Sequence, residues 1–411
     1  MATLFSRGST TDCLTDADKR AALRVLDPTA RNVLILPPDH TRLNSDAGTL
    51  TAMLYEMFPQ ADIMPALGTH SPMTPAQLRM MFGDAIPLER FLVHHWRRNV
   101  RHVGTIPGAR VSDWSEGRVD YEVRVEVNHQ LFAGYDLILS VGQLVPHEVV
   151  GIANYTKNIM TGVGGADSIN KSHFLGAVYG MERIMGRIET PVRKLFNYGI
   201  QTFLGDLSIV YILTVMQKTA AGMVMRGLYI GDDDATFTMG AKLSQQVNLD
   251  RLDAPLKKVV VYLDPHEFKS TWLGNKAIYR TRMAMADGGE LIILAPGLRE
   301  FGEDPEIDRL IRRYGYRGTP ATLAAVKTDP ALANNLSAAA HLIHGSSEGR
   351  FRITYCPGPG LSAKEIRSVG YEAGRLTDYP VESYREGWNP DGTFYISNPA
   401  LGLWALKGNF P

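Results

Sequence analysis

Cysteine is nearly missing from this chain: Cys13 and Cys356 are the only two in 411 residues, and they stand hundreds of positions apart. That spacing excludes a disulfide framework and a closely spaced thiolate metal site, so the sequence points to a reducing compartment. Net charge is missing too, since 43 basic residues face 43 acidic ones. Without a net field, neither nucleic acid nor an anionic membrane is an expected partner. No apolar run approaches the roughly 18 residues of a spanning helix, and "MATLFSRGSTTDCL" lacks a basic start leading into an apolar stretch. The expectation is a cytoplasmic protein. Several catalytic signatures are also absent: no Walker A loop, no G-x-G-x-x-G after a strand, no H-E-x-x-H and no G-x-S-x-G.

A globular composition remains, 45% hydrophobic and 21% charged. Its length exceeds what one hydrophobic core usually serves, so two domains are expected. Short apolar runs at 32–38, 61–68, 135–142 and 207–215 read as buried strands. Helices are expected between them at Ala47 to Phe58 and Pro75 to Phe82, the second capped by Thr74 with proline in its first position. This alternation predicts an α/β domain over 1–252 with a largely parallel sheet. The same grammar restarts at "KKVVVYLDP", predicting a second α/β domain over 256–411. Within it, "LGNKAIYRTRMAMADGG" reads as a helix capped by Gly288 and Gly289, and "ELIILAPG" as the following strand.

Loops after the carboxyl ends of such strands carry ligands. The first strand runs into "PPDHTR", which puts Asp39, His40, Thr41 and Arg42 in one turn. Another runs into "LGTHSPMT" with His70, and a third into "SVGQLVPHEVVGIANYTKN" with His147 and Lys157, then "GVGGAD" and His173. Each piece alone has an ordinary structural reading: a hydrogen-bonded histidine, an Asp-capped turn, a solvated lysine, a glycine turn or an anion-binding nest. Their coincidence at comparable ends of one sheet favours acid and base work by imidazoles, with cationic anchoring of an anionic substrate. A zinc site assembled from His70, His147 and His173 is a further possibility.

In order and spacing, "DHTR", "ALGTHSPMT", "PHEVVGIANYTKN" and "INKSH" resemble the nickel-pincer-dependent lactate racemase family of 2-hydroxyacid racemases and epimerases. "LGNKAIYRTRMAMADGGELIIL" and "RFRITYCPGPGLSAKEIRSVGY" look like that family's C-terminal domain. The resemblance implies His70 and His147 as acid and base on opposite faces of the substrate. It implies Lys157 as the thioamide tether of the pincer nucleotide and His173 as the protein ligand to nickel. Asp39, Thr41 and Arg42 would lie by the cofactor, with Arg42, Lys276 and Trp272 toward the substrate, in a cleft between the domains. Cofactor-biosynthesis proteins are then implied as partners, and a homo-oligomer is compatible. The chemistry is hydride transfer from C2 to the pincer and back, with proton exchange at the hydroxyl, and a neutral imidazole suits the remaining in-plane position of square-planar Ni(II).

The chain departs from the family pattern in places. Around the tether the family reads Gly-Phe-Ser-Gly-Gly-x-Lys, whereas Asn154 and Tyr155 stand here for two of the glycines. Leu43 replaces a proline, and Leu273 stands where a polar amide meets the substrate, so a 2-hydroxyacid larger or more apolar than lactate is expected. The alternatives are a relative of the same fold acting as a metal-dependent lyase or hydrolase, and a non-enzymatic small-anion binding protein. "GDDDAT" reads as a solvated loop, "HHWRRNVRH" as a surface segment or subunit contact, and His341 and His344 as helix-end residues without further role.

Overall fold

The structure, a computed structural model, describes residues 2–219 and 221–410. It divides into two compact units, one of 1–175 with 183–248, the other of 176–182 with 249–411.

The first unit is built on a six-stranded sheet ordered Thr3–Gly8, Gly222–Gly231, Ile209–Thr219, Leu137–Gln143, Val33–Leu36, Asp62–Ile63. The last four strands are mutually parallel, and the first two pair antiparallel at one edge. Side chains of a strand alternate between faces, and here both faces are covered. Val33, Ile35, Leu137, Leu139 and Val141 enter one core, while Leu34, Leu36 and Ile138 enter the other. Such double coverage explains why these strands read as continuous apolar runs. Helices form at Ala47–Met57 and Pro75–Phe82. Thr74 caps the second in a reciprocal box with Gln77.

The second unit carries a six-stranded sheet ordered Glu372–Ala373, Arg352–Pro357, Met285–Ala295, Leu256–Tyr262, Phe394–Ile396, Gly387–Trp388, parallel except for the last strand. One expectation fails here. The helix foreseen across 273–289 is two short pieces, Thr271–Gly274 and Lys276–Thr281, and Met285 already opens the strand. Parallel pairing of Met285 with Leu256 overrides the helical propensity of "MAMA". Gly288, at φ 75°, bends that strand instead of capping a helix. Among the described residues no helix is long and apolar enough to cross a membrane.

Candidate functional site

The Val33–Leu36 strand delivers Asp39 three residues beyond its end. The buried carboxylate accepts from the Thr41 amide at 3.1 Å and the Thr41 hydroxyl at 2.5 Å through one oxygen. Its other oxygen accepts from His70 Nδ1 at 2.5 Å. Gly68, at φ 57°, makes the bend that brings His70 back, and its amide donates to the Gly162 carbonyl at 2.8 Å. Burial works to raise the Asp39 carboxyl, but the His70 and Thr41 hydrogen bonds and the neighbouring positive charges more than offset it, holding it down to about 2. The bond to Asp39 fixes the tautomer of the neutral His70 ring, with its proton on Nδ1 and the lone pair on Nε2; the ring is 44% exposed.

His147 has the opposite tautomer. Its Nδ1 accepts from the Val149 amide at 3.1 Å, so the neutral ring carries its proton on Nε2. Burial drives its pKa well below the ordinary histidine value, with Glu148 opposing and the Lys157, Arg42 and His173 charges adding to the effect. Glu148 Oε2 lies 4.0 Å from His147 Nδ1. The sequence reading passed Glu148 over, although its adjacency in "PHE" was the available signal.

Lys157 follows a tight turn and is succeeded by a π-helical turn, Asn158–Gly162, an irregularity often found at functional sites. Asn158 anchors the segment to the central strands, donating to the Leu36 carbonyl at 3.0 Å and to Ser140 Oγ at 2.9 Å. Burial, then the Arg42 charge, brings the Lys157 amine down to about 8; Glu148 and Asp39 oppose this and Arg193 adds to it. His173 lies on the Ala166–Tyr179 helix and donates from Nδ1 to the Ile169 carbonyl at 2.7 Å, which leaves the lone pair of the neutral ring on Nε2. Burial is the main cause that lowers it to about 4, so it is neutral and able to bind a metal.

The first unit therefore brings Asp39, Thr41, Arg42, His70, His147, Lys157 and His173 around the carboxyl ends of neighbouring strands. Trp272 and Lys276 belong to the second unit, on the segment after its Leu256–Tyr262 strand. Among the described residues no three His, Cys, Asp or Glu side chains converge to hold a metal, so the zinc alternative lacks a donor set. The "GVGG" amides form no open anion nest. Gly165 donates to the Glu126 carbonyl at 2.8 Å and Val163 to that of Asn158 at 3.1 Å. Gly164 is required for close packing, since a Cβ there would lie 2.0 Å from the Met160 carbonyl oxygen.

Residues 11–184 match the family model described as the lactate racemase N-terminal domain. A lactate racemase of Thermoanaerobacterium thermosaccharolyticum is 24% identical over 278 residues, which are 64% of this chain and 60% of that protein. The chain thus spans well under two thirds of the length of the curated relative it matches. Among solved structures, a Thermotoga maritima protein from a structural genomics consortium superposes with a TM-score of 0.84 at 24% identity, covering 96% of this chain and 99% of that one. The lactate racemase apoprotein of T. thermosaccharolyticum gives 0.70 at 16% identity, covering 92% and 87%. At these identities the likeness shows a shared fold and nothing finer.

Proposed function

We propose that this protein is a racemase or epimerase acting at C2 of a 2-hydroxyacid, with a nickel-pincer nucleotide attached to Lys157. The observation that carries the reading is the pair of opposite histidine tautomers. His70 offers a bare Nε2 backed by an ionised Asp39, and His147 offers an Nε2–H. Inverting a carbinol centre needs one group to take the hydroxyl proton and another to return one on the opposite face. A single base serving both faces would have to cross the substrate.

The residues fit the cofactor. His173 would hold the cofactor's nickel through Nε2, its other nitrogen being already tied to the Ile169 carbonyl. Lys157 supplies a buried amine whose lowered pKa leaves an appreciable neutral fraction for acylation near pH 8. When bound, the group supplies hydride acceptance and return at C2. Arg42, with Lys276 and Trp272 of the second unit, is assigned to holding the substrate carboxylate and its side chain. Leu273 in place of an amide favours an apolar substituent.

The test is to produce the protein with the cofactor-biosynthesis enzymes and measure the mass of the Lys157 peptide, nickel content, and chiral conversion of a hydroxyacid panel. A cofactor-sized increment, stoichiometric nickel and stereoisomer interconversion are expected. His173→Ala should lose nickel, while His70→Ala and His147→Ala should keep it and lose turnover. An unmodified Lys157 refutes the attachment, and nickel with no interconversion of any panel member favours the lyase, hydrolase or binding alternatives.

A further inference from the structure

Asn154 and Tyr155 are consecutive left-handed residues, at φ 62° and 57°, immediately before Thr156 and Lys157. Left-handed geometry costs roughly 1–2 kcal/mol for a residue with a Cβ. Asparagine tolerates it, whereas tyrosine does so rarely. Both are buried. Something must therefore hold the pair.

Arg193, in the first turn of the Pro191–Phe203 helix, is 3% exposed and reaches across the turn. Nη1 donates to the Asn154 carbonyl at 3.2 Å and to Thr156 Oγ1 at 2.7 Å. Nη2 donates to the Ile152 carbonyl at 2.5 Å and to that of Asn154 at 3.3 Å. Its guanidinium lies 4.3 Å over the Phe237 ring, on which Tyr155 stacks at 5.0 Å. A polar ring closes the arrangement. Tyr155 Oη donates to Asp234 at 3.0 Å, Asn197 Nδ2 to the same oxygen at 2.8 Å, and Thr156 Oγ1 to Asn197 Oδ1 at 2.8 Å. The Asp234 of "GDDDAT" is exposed, as a solvated loop requires, and also serves as a buttress. Gly142 makes the room, because a Cβ there would lie 1.9 Å from Asn154 Nδ2.

Burying a guanidinium is costly, and a core needs none. We infer that Arg193 is a positioning residue whose grip on the Ile152 and Asn154 carbonyls holds the left-handed pair and so fixes where Lys157 leaves the backbone. Its functional meaning rests on Lys157 being the attachment point. Where the family pattern takes this turn with glycine, this chain takes it with side chains under an arginine clamp. The physical signature is coupling: glycine adopts the left-handed region freely, so glycine at 154 should make the clamp partly dispensable.

The test uses the full-length chain without cofactor, as wild type, Arg193→Met, Asn154→Gly and the double variant. Two quantities are read: amide exchange over 152–160, and acetylation of Lys157 relative to the exposed Lys364. Arg193→Met should speed exchange in the turn about tenfold or more and raise Lys157 acetylation severalfold, leaving the Leu137–Gln143 amides unchanged. Asn154→Gly alone should resemble wild type, and in the double variant it should recover at least half of the loss. Should Arg193→Met fail to fold, Arg193→Lys with and without Asn154→Gly gives the same comparison. Loss of protection spread evenly over the unit, no local change, or no recovery by glycine each overturns the inference. A wild-type Lys157 that takes no cofactor refutes the attachment and leaves the exchange result standing, so the two failures are distinguishable.

Discussion

His94 makes the first unit sensitive to acid in a way that can be measured. It is 2% exposed; Nε2 donates to the Gly164 carbonyl at 3.1 Å and Nδ1 accepts from Asn128 Nδ2 at 2.9 Å. A second proton would confront the Asn128 amide hydrogens inside the core. Burial, opposed by the Gly164 bond and aided by the His95 charge, brings His94 down to about 4. The sign follows from that depression. The neutral ring contributes stability that is fully present above about pH 6.5, the unfolded value, and is lost as pH falls toward about 4. With about 1.4 kcal/mol per unit, the loss between about pH 8 and pH 4.5 is roughly 2–3 kcal/mol. His94→Gln keeps a donor for Gly164 and an acceptor for Asn128 but does not titrate. Urea unfolding of both proteins at the two pH values gives the comparison, in which the other enclosed histidines, His147, His173, His341 and His344, cancel. The variant should lose roughly 2–3 kcal/mol less than wild type on acidification. Equal losses would refute the assignment of a buried, neutral His94.

Two further substitutions probe the site and the second unit. Asp39→Asn removes the charge that fixes the His70 tautomer, and should lower the turnover number about a hundredfold with nickel retained; steady-state kinetics on the hydroxyacid identified from the panel checks it, and an unchanged turnover number sinks the role. Arg282 is buried, donating to Glu182 at 2.8 Å and to the His344 and Ser346 carbonyls at 3.2 Å each. Arg282→Met should therefore cost roughly 3 kcal/mol in urea unfolding, whereas a cost below about 1 kcal/mol, the level of a surface pair, would show that the 176–182 segment is not held through this contact.

Much of the first unit's architecture was legible because strand and ligand loop are neighbours in sequence. A run such as "NVLILPP" announces a doubly buried strand, and the polar cluster that follows it lies at the ligand-bearing end. Asp39, His70 and His147 stand out by that rule, and a hydrogen bond joins the first two. The split helix of the second unit was not legible, since "RMAMADGG" has good helical propensity and its strand state is dictated by Leu256 some thirty residues earlier.

The supports of the site are illegible for a related reason. A residue that contacts ligand sits where the chain emerges from the sheet, but a residue that supports it arrives from anywhere. Arg193 is an ordinary charged position in "TPVRKLF", and His341 an ordinary helical one in "AAAHLIHG". Yet Arg193 grips two carbonyls some forty positions away, and His341 binds the Tyr279 and Tyr316 hydroxyls at 2.9 Å each. The His341 ring, tilted against Trp272 at 4.4 Å, thus joins the segment carrying Trp272 and Lys276 to the helix Leu336–His344. The clue within the sequence lay in the departures: once Asn154 and Tyr155 occupy places that glycine suits, a compensating partner is physically required, and a buried cation on the Ile152 and Asn154 carbonyls meets that need.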